Sequence, residues 1–360
     1  MSACRLRRGR GLTAHHGLDD HRGVPYLCGC DGAAATAAGL QRELADFVAA
    51  STTAGVSAAV LWPDGASWEG AAGFADEAAG GALTPGDTMR IASTTEAFTA
   101  AVALQLVDEG AVGLDQAVAP LLPGLGLDEA LTLRHLLGHR SGLWNFTLDA
   151  GVDSAVQSWD PVRVVAAAVA RGQVFPPGSH FAYSNTNFAV AGLLIEALTG
   201  NPAEAEIRAR LLVPLGCAAT FMGGYEAGEV TAAPYGNPAA EEGYLGSDTS
   251  SWTAGSLVST PADLVRFGAA RFDGRLTSEE SLRAMTAPQG VAGEAAHYGL
   301  GVELLEIAGR SAWGHRGGMP GYLSALFFFP DSGVTVALTA DDWRGGDFME
   351  VFARLVDLAL

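Results

Sequence analysis

The 360-residue sequence contains no lysine; all 21 of its Lys+Arg residues are arginine. A lysine Schiff base to a carbonyl substrate or cofactor is therefore excluded, and so is lysine as a catalytic base. Positive charge is scarce overall, since 40 acidic residues against 21 arginines leave a net charge of −19. Nucleic acid needs a basic face and an anionic membrane attracts basic segments, so neither is expected as a partner. No apolar run reaches the roughly 20 residues that cross a bilayer. The four cysteines (Cys4, Cys28, Cys30, Cys217) are too few for a disulfide framework. With His15, His16 and His21 nearby, the first three still lack the CxxC or HxxxH spacing of a metal site, so no metal or other cofactor is expected. The N-terminal arginines are followed by no apolar stretch, so no export signal is legible. Residues 1–33 are expected to be a disordered extension, and the location cytoplasmic.

What remains is an ordinary globular composition, 49% hydrophobic and 17% charged, long enough to bury a substantial core. Leu40, Leu44, Phe47 and Val48 have helical spacing, and two strand-like runs follow, parted by Pro63-Asp64-Gly65. Ser93 to Glu109 reads as a helix stopped by Gly110. Short helices and loops then run to about Leu245, and the last sixty residues return to strands before a final amphipathic helix. Strands at both ends of the chain with helices between them predict an α/β fold: an antiparallel sheet flanked by N- and C-terminal helices, with an inserted helical domain. The α/β part is expected over 34–92 and 254–360, and the helical part over 93–253.

Three stretches carry chemistry. In "RIASTTEAFTA" (90–100), Ser93 and Glu96 share one helix face. S-x-x-E before an apolar run is also the capping box, in which both residues merely satisfy free backbone N–H groups. The same helix N-terminus stabilises developing negative charge, so a nucleophile and a cap both fit. In "HFAYSNTNF" (180–188), Tyr183 and Asn185 project to one side of an extended loop. A phenol and an amide aimed together suit proton relay and acyl-group positioning, and a loop entering a helix explains them equally well. In "WGHRGGMPGY" (313–322), His315 precedes Gly317 and Gly318, which permit close approach of a substrate backbone.

Together these resemble the serine β-lactamase and penicillin-binding-protein superfamily, most of all the class C β-lactamase branch with its esterase and D-aminopeptidase relatives. The elements S-x-x-K, Y-x-N and [KH]-x-G appear in order as Ser93-Thr-Thr-Glu96, Tyr183-Ser-Asn185 and His315-Arg-Gly317. "LTLRHLLGHRSGL" (131–143), "FPPGSHFAYSN" (175–185), "AGSLVSTPADLVRF" (254–267) and "GHRGGMPGYLS" (314–324) match as well, so the resemblance spans residues 36 to 360. It implies a metal-independent hydrolase or acyltransferase that handles a small-molecule ester, amide or β-lactam through an acyl-Ser93 intermediate. The backbone N–H groups of Ser93 and Gly318 would form the oxyanion hole. Tyr183 would be general base and acid, Asn185 would position substrate, and His315 would orient Tyr183.

Glu96 departs from the pattern, standing where the family's lysine should be. A carboxylate beside Tyr183 raises the phenol pKa, the wrong direction for a base. Three outcomes are open: Glu96 is itself the base, its pKa raised by burial so that it takes the Ser93 proton; the pocket performs other chemistry such as a non-hydrolytic biosynthetic step; or the scaffold is an inactive binding protein. Arg316 is a candidate for a relocated positive charge, although strand alternation points it away from the His315 face. Trp144 and Asn145, Tyr244, Trp252, His297 and Tyr298 are candidate pocket-mouth residues by position. His135 and His139 have an i,i+4 spacing but no third ligand, and are read as structural. Asp341-Asp342 is read as loop charge at a strand end.

Overall fold

A computed structural model describes residues 29–77, 79–148, 158–235, 245–291, 297–342 and 347–360. Cys4, Cys28, the three N-terminal histidines and Tyr244 lie outside the described residues, as does most of the expected extension 1–33. Helix α1 (Gly29–Ala50) takes in the last residues of that stretch. The alanine-rich stretch from Ala33 to Ala38 explains this, alanine being the strongest helix former.

The main sheet has nine antiparallel strands. In chain order these are β1 (Gly55–Leu61), β2 (Ser67–Asp76), β3 (Gly81–Ala82), β7 (Gly290–Val291), β8 (His297–Tyr298), β9 (Glu303–Ile307), β10 (Arg310–Met319), β11 (Tyr322–Phe329) and β12 (Val334–Ala340). Across the sheet they lie in the order β3-β2-β1-β12-β11-β10-β9-β8-β7. The β1–β12 pairing, Val56 opposite Ala340 through Leu61 opposite Thr335, joins the two ends of the chain. All seven residues of β12 are buried, as a central strand covered on both faces requires. The β1–β2 hairpin turns at Gly65, whose φ of 86° suits glycine. A small second sheet of β4 (Met89–Arg90), β5 (Phe221–Met222) and β6 (Leu257–Ser259) runs in the order β4-β6-β5.

Two apolar layers enclose the main sheet. On one face, Leu40, Leu44 and Phe47 of α1 pack with Phe352 and Leu355 of α11 (Phe348–Ala359). On the other, α9 (Pro261–Phe272) lies across β1, β11 and β12. The same core continues into α2 (Thr95–Asp108), α3 (Leu133–Leu137), α4 (Pro161–Ala170) and α5 (Thr186–Thr199). The short α6 (Ala203–Ile207) and α7 (Val213–Leu215), then α8 (Leu245–Gly255) and α10 (Glu279–Thr286), complete this layer. α2 is buried almost all round, because α5 and α8 pack on it from one side and β10 from the other. No described helix is long and apolar enough to cross a membrane.

Candidate active site

Chain geometry at Ser93 is unusual. β4 leads through Ile91 into a single 3-10 turn, Ala92–Thr94, which runs directly into α2. Ala92 enters that turn with a φ of 44°, a left-handed value that an alanine adopts only when its surroundings enforce it. Ser324 of β11 enforces it by donating to the Ile91 carbonyl at 2.6 Å and meeting Thr94 Oγ1 at 2.8 Å. β10 presses from the same side. A Cβ on Gly317 would stand 2.1 Å from the Ile91 oxygen, so no other residue fits there.

The capping box anticipated for Ser93 and Glu96 does not form. The 3-10 turn is capped by Ile91 and α2 by Thr94, and neither side chain makes a capping bond. Ser93 lies inside the 3-10 turn, two residues past that turn's cap position at Ile91 and one residue short of the α2 cap position at Thr94.

Glu96 points the other way, into the protein, and is fully buried. Its Oε1 accepts from the Tyr183 hydroxyl at 2.7 Å, and its Oε2 accepts from the Tyr298 hydroxyl at 2.9 Å. His139 Nε2 lies 3.2 Å from Oε2 and His315 Nε2 lies 3.3 Å from it. His139 Nδ1 accepts from the Ser184 backbone N–H at 3.2 Å, so its ring hydrogen is on Nε2 and is donated to Glu96. His315 Nδ1 donates to the Arg316 carbonyl at 2.6 Å, and its Nε2 also meets the Tyr298 hydroxyl at 2.9 Å. Because the Tyr298 hydrogen goes to Glu96, the His315–Tyr298 contact requires the proton on His315. Both His315 nitrogens then donate, the arrangement of an imidazolium.

The electrostatics agree. Burial alone would push the Glu96 carboxyl up, as expected for a base, but the two imidazoles overcome it and hold the group below the ordinary carboxylate range, so the raised pKa is not found. Burial alone would pull His315 down, and it is outweighed by Glu96 and by the Glu303 charge, leaving the imidazole raised. Burial and the Glu96 charge push the Tyr183 phenol well up, while a hydrogen bond with Ser93 pulls it back. Tyr183 is 37% exposed as a residue, yet its hydroxyl end is enclosed between Ser93 and Glu96.

This pairing predicts how stability follows pH. Glu96 is depressed, so its contribution is present above about 4.5 and is lost as pH falls. His315 is raised, so its contribution is complete below about 6.5 and is lost as pH rises through its folded-state value. Asp341, pushed up to about 7 by burial, loses its own contribution from about 3.8 to 7. Thermal midpoints measured from pH 4 to 9 on the wild type and on His315→Asn should therefore converge as pH rises above 6.5. A constant difference across that range would mean that His315 carries no charge in the folded protein.

The other sequence candidates divide. Ser93, Asn185 and Gly318 line one cavity of about 200 Å³, joined by Thr147, Ser247 and Ser251, which had not been singled out. Gly318 presents its N–H there. The Arg316 N–H faces the β9 side, bonded to Glu303 at 3.1 Å, and alternation sends the Gly318 N–H the same way. β9 pairs only as far as Gly314, so no strand partner awaits it. Gly317 is the packing residue described above. Arg316 is not the relocated charge, because it forms a two-point ion pair with Glu303 at 2.9 Å on the far side of the strand. The cation beside Glu96 is the His315 imidazolium instead.

Positional expectations fare less well. Trp144 does not line the cavity; among the described residues its buried indole Nε1 finds no acceptor, and its carbonyl accepts from the Thr186 hydroxyl. Asn145 supports Asn185, accepting from its backbone N–H at 3.2 Å. Trp252 is 1% exposed, not at a mouth. Tyr298 is buried while His297 is exposed, as neighbours on a strand must be when one face is covered. His135 takes part in a capping box with Thr132, whereas His139, read as structural, belongs to the Glu96 cluster. Asp341 and Asp342 are buried ties: Asp341 accepts from the Gly55 N–H at 2.8 Å and Asp342 from the Thr52 hydroxyl at 3.3 Å. Among described non-glycine residues, positive φ occurs at Ala92, His139, Trp252 and Ala308. The first two adjoin Ser93 and Glu96, and the third follows Ser251. Strain of about 1–3 kcal/mol per residue collects where function needs it.

A family model described as Beta-lactamase matches residues 40–360. The chain belongs to the beta-lactamase family. Within that family it is similar to penicillin-binding protein 4 of Amycolatopsis lactamdurans, at 31% identity over 83% of this chain and 84% of that protein. It is also similar to a D-aminopeptidase of Brucella anthropi, at 28% identity over 80% of this chain, and spans 56% of that enzyme's length. Among solved structures, the D-amino acid amidase of Ochrobactrum anthropi SV3 complexed with D-phenylalanine superposes with a TM-score of 0.82 at 28% identity. That match covers 90% of this chain and 98% of the amidase. These relatives place this beta-lactamase family member among the β-lactamase-related serine hydrolases.

Proposed function

We propose that this protein hydrolyses a small amide or ester through an acyl-Ser93 intermediate, with the Glu96–His315 pair standing in for the missing lysine. The observation that carries this reading is the Tyr183 phenol, which donates to Glu96 Oε1 at 2.7 Å and feels Ser93 beside it. Tyr183 takes the Ser93 proton as it hands its own to Glu96, so neither a phenolate nor a lysine is required. Ser93 Oγ bonds to the substrate carbonyl carbon, and the carbonyl electron pair moves to an oxygen facing the Ser93 and Gly318 N–H groups. When the tetrahedral species collapses, the C–N or C–O bond breaks and the leaving group takes a proton from Tyr183, which regains its own from Glu96. Water then attacks the acyl carbon, giving a proton to Tyr183 as the phenol proton again passes to Glu96; collapse breaks the bond to Ser93 Oγ, which is reprotonated along the same path as the acid leaves. His315 keeps Glu96 charged between turnovers and Tyr298 holds the two in register. The absence of a capping bond from Ser93 speaks against an inactive scaffold that keeps the serine as a cap.

The relatives' names support one substrate class. A D-aminopeptidase and a D-amino acid amidase both point to an acyl unit of D configuration. Incubation with a fluorophosphonate should add one adduct, located by peptide mass mapping to Ser93. D-acyl p-nitroanilides should turn over faster than their L enantiomers. A protein that takes no adduct at Ser93 is not a serine hydrolase, and equal rates for the two enantiomers would remove the D assignment.

A further inference from the structure

The wall of the cavity opposite Ser93 is built by a distorted helix. α8 contains a residue far from helical geometry, Trp252, with φ 39° and ψ −120°. Tryptophan has no chemical reason to adopt that backbone, so its surroundings must hold it there. Its Nε1 donates to Glu204 Oε2 at 3.4 Å, its ring packs 6.1 Å from the Tyr225 ring, and Gly192 of α5 makes room for it. A Cβ on Gly192 would stand 2.7 Å from the indole. The residue just before the kink is Ser251, and Ser247 lies one turn earlier; both line the cavity with Ser93, Thr147 and Asn185. Neither serine hydroxyl bonds another described residue. They are held beside Ser93 with no hydrogen bond from their hydroxyls to any described residue.

No described residue lining this cavity carries a charge. The nearest carboxylate on the same helix, Asp248, is committed to Arg90 through a two-point ion pair at 2.8 and 2.9 Å. Glu96 is enclosed by its own four donors, and Glu303 by Arg316. A substrate ammonium entering here would shed water without meeting a counter-charge from any described residue, which is unfavourable. An uncharged hydroxyl or carboxamide would meet two free serine hydroxyls. At about 200 Å³ the space is also small, below the roughly 300 Å³ where drug-sized pockets begin.

Resting on the acyl-Ser93 reading, we propose that Ser251, aided by Ser247, forms the acyl-side subsite, and that it selects a compact acyl group bearing a neutral hydrogen-bonding substituent, as in a 2-hydroxy acid amide, over one bearing an ammonium. Both hydroxyls act as donor or acceptor, so they bind the substituent whichever way its hydrogen points. The kink at Trp252 sets their direction, and the buried indole keeps that direction fixed through turnover.

Three p-nitroanilides of nearly equal size isolate the effect: D-lactyl, isobutyryl and D-alanyl, carrying hydroxyl, methyl and ammonium in one position. D-lactyl should have the highest kcat/KM, by roughly 10-fold over isobutyryl, the usual value of one well-placed hydrogen bond. D-alanyl should be the poorest. Ser251→Ala should lower the ratio of D-lactyl to isobutyryl turnover roughly 10-fold, and Ser251→Asp should move preference toward D-alanyl. Preference for D-alanyl in the wild type overturns the proposal, as does Ser251→Ala lowering all three substrates by one common factor. Fluorophosphonate labelling of Ser93 without turnover of any of the three also overturns it while leaving the serine hydrolase reading intact. Loss of that labelling overturns the hydrolase reading instead.

Discussion

Ser93→Ala should remove the covalent adduct and lower turnover by on the order of 10⁴- to 10⁶-fold, with the thermal midpoint unchanged. Both halves are needed, because a serine opening a helix has two incompatible explanations. A capping serine replaced by alanine costs about 0.5–2 kcal/mol of stability, since a backbone N–H loses its acceptor. Ser93 makes no such bond: the 3-10 turn is capped at Ile91 and α2 at Thr94, in neither case by a side chain. Its hydroxyl is directed instead to Tyr183. Calorimetry and intact-mass spectrometry on one variant therefore separate the explanations. A lower midpoint with turnover preserved would restore the cap and end the nucleophile.

Glu96→Gln has the second large effect, and it acts on stability and rate together. The side chain keeps its volume but loses its charge and one of two acceptor oxygens. Four donors, from Tyr183, Tyr298, His139 and His315, now converge on the carboxylate, and the amide cannot receive them all. The buried imidazolium also loses its counter-ion. Breaking a buried pair in this way costs about 3–5 kcal/mol, and the Glu96 and His315 side chains are 0% and 2% exposed, so solvent does not screen the loss. Turnover should fall about 10²- to 10⁴-fold as the Tyr183 proton loses its acceptor. Combining Glu96→Gln with His315→Asn removes both charges and should recover part of the stability, a coupling of about 0.5–3 kcal/mol. The rate should not recover, because the proton acceptor is still missing. Additive stability losses in that double-mutant cycle would mean that the two side chains do not act as an ion pair.

These variants also mark where local pattern stops being informative. The three-residue spacing of Ser93 and Glu96 correctly placed them at one helix start, but the same spacing invited the capping box. What separates the two outcomes is a single residue of register, set by the contacts of Ser324 and Gly317 with Ile91. Tyr298, read as a pocket-mouth residue, and His139, read as structural, had their place at Glu96 missed for a related reason. Their bonds to Glu96 bridge 202 and 43 residues of chain, and neither sits in a stretch whose own periodicity requires a functional role. His139 has a positive φ of 52°, a feature with no sequence signature in a non-glycine residue.

Arg316 and Trp252 show the limit from the other side. Strand alternation alone gave reason to doubt that Arg316 faces Glu96, and the pairing with Glu303 agrees with it. Trp252 reads from composition as an aromatic at a pocket mouth, whereas packing makes it the buried anchor of a kink.

By itself the sequence determined the fold class, the order of the three motifs and the absence of a lysine, because hydrophobic periodicity and residue identity are local properties. It also determined that Glu96 would oppose ionisation of Tyr183, since charge sign needs no coordinates. Tertiary structure alone decided what surrounds Glu96. The β8–β10 segments and the loop after α3 bring Tyr298, His315 and His139 onto one carboxylate, and that convergence depends on strand register and on layers closing over a core. Physical interactions at 3 Å are set by where distant segments come to rest, which spacing along a chain does not encode.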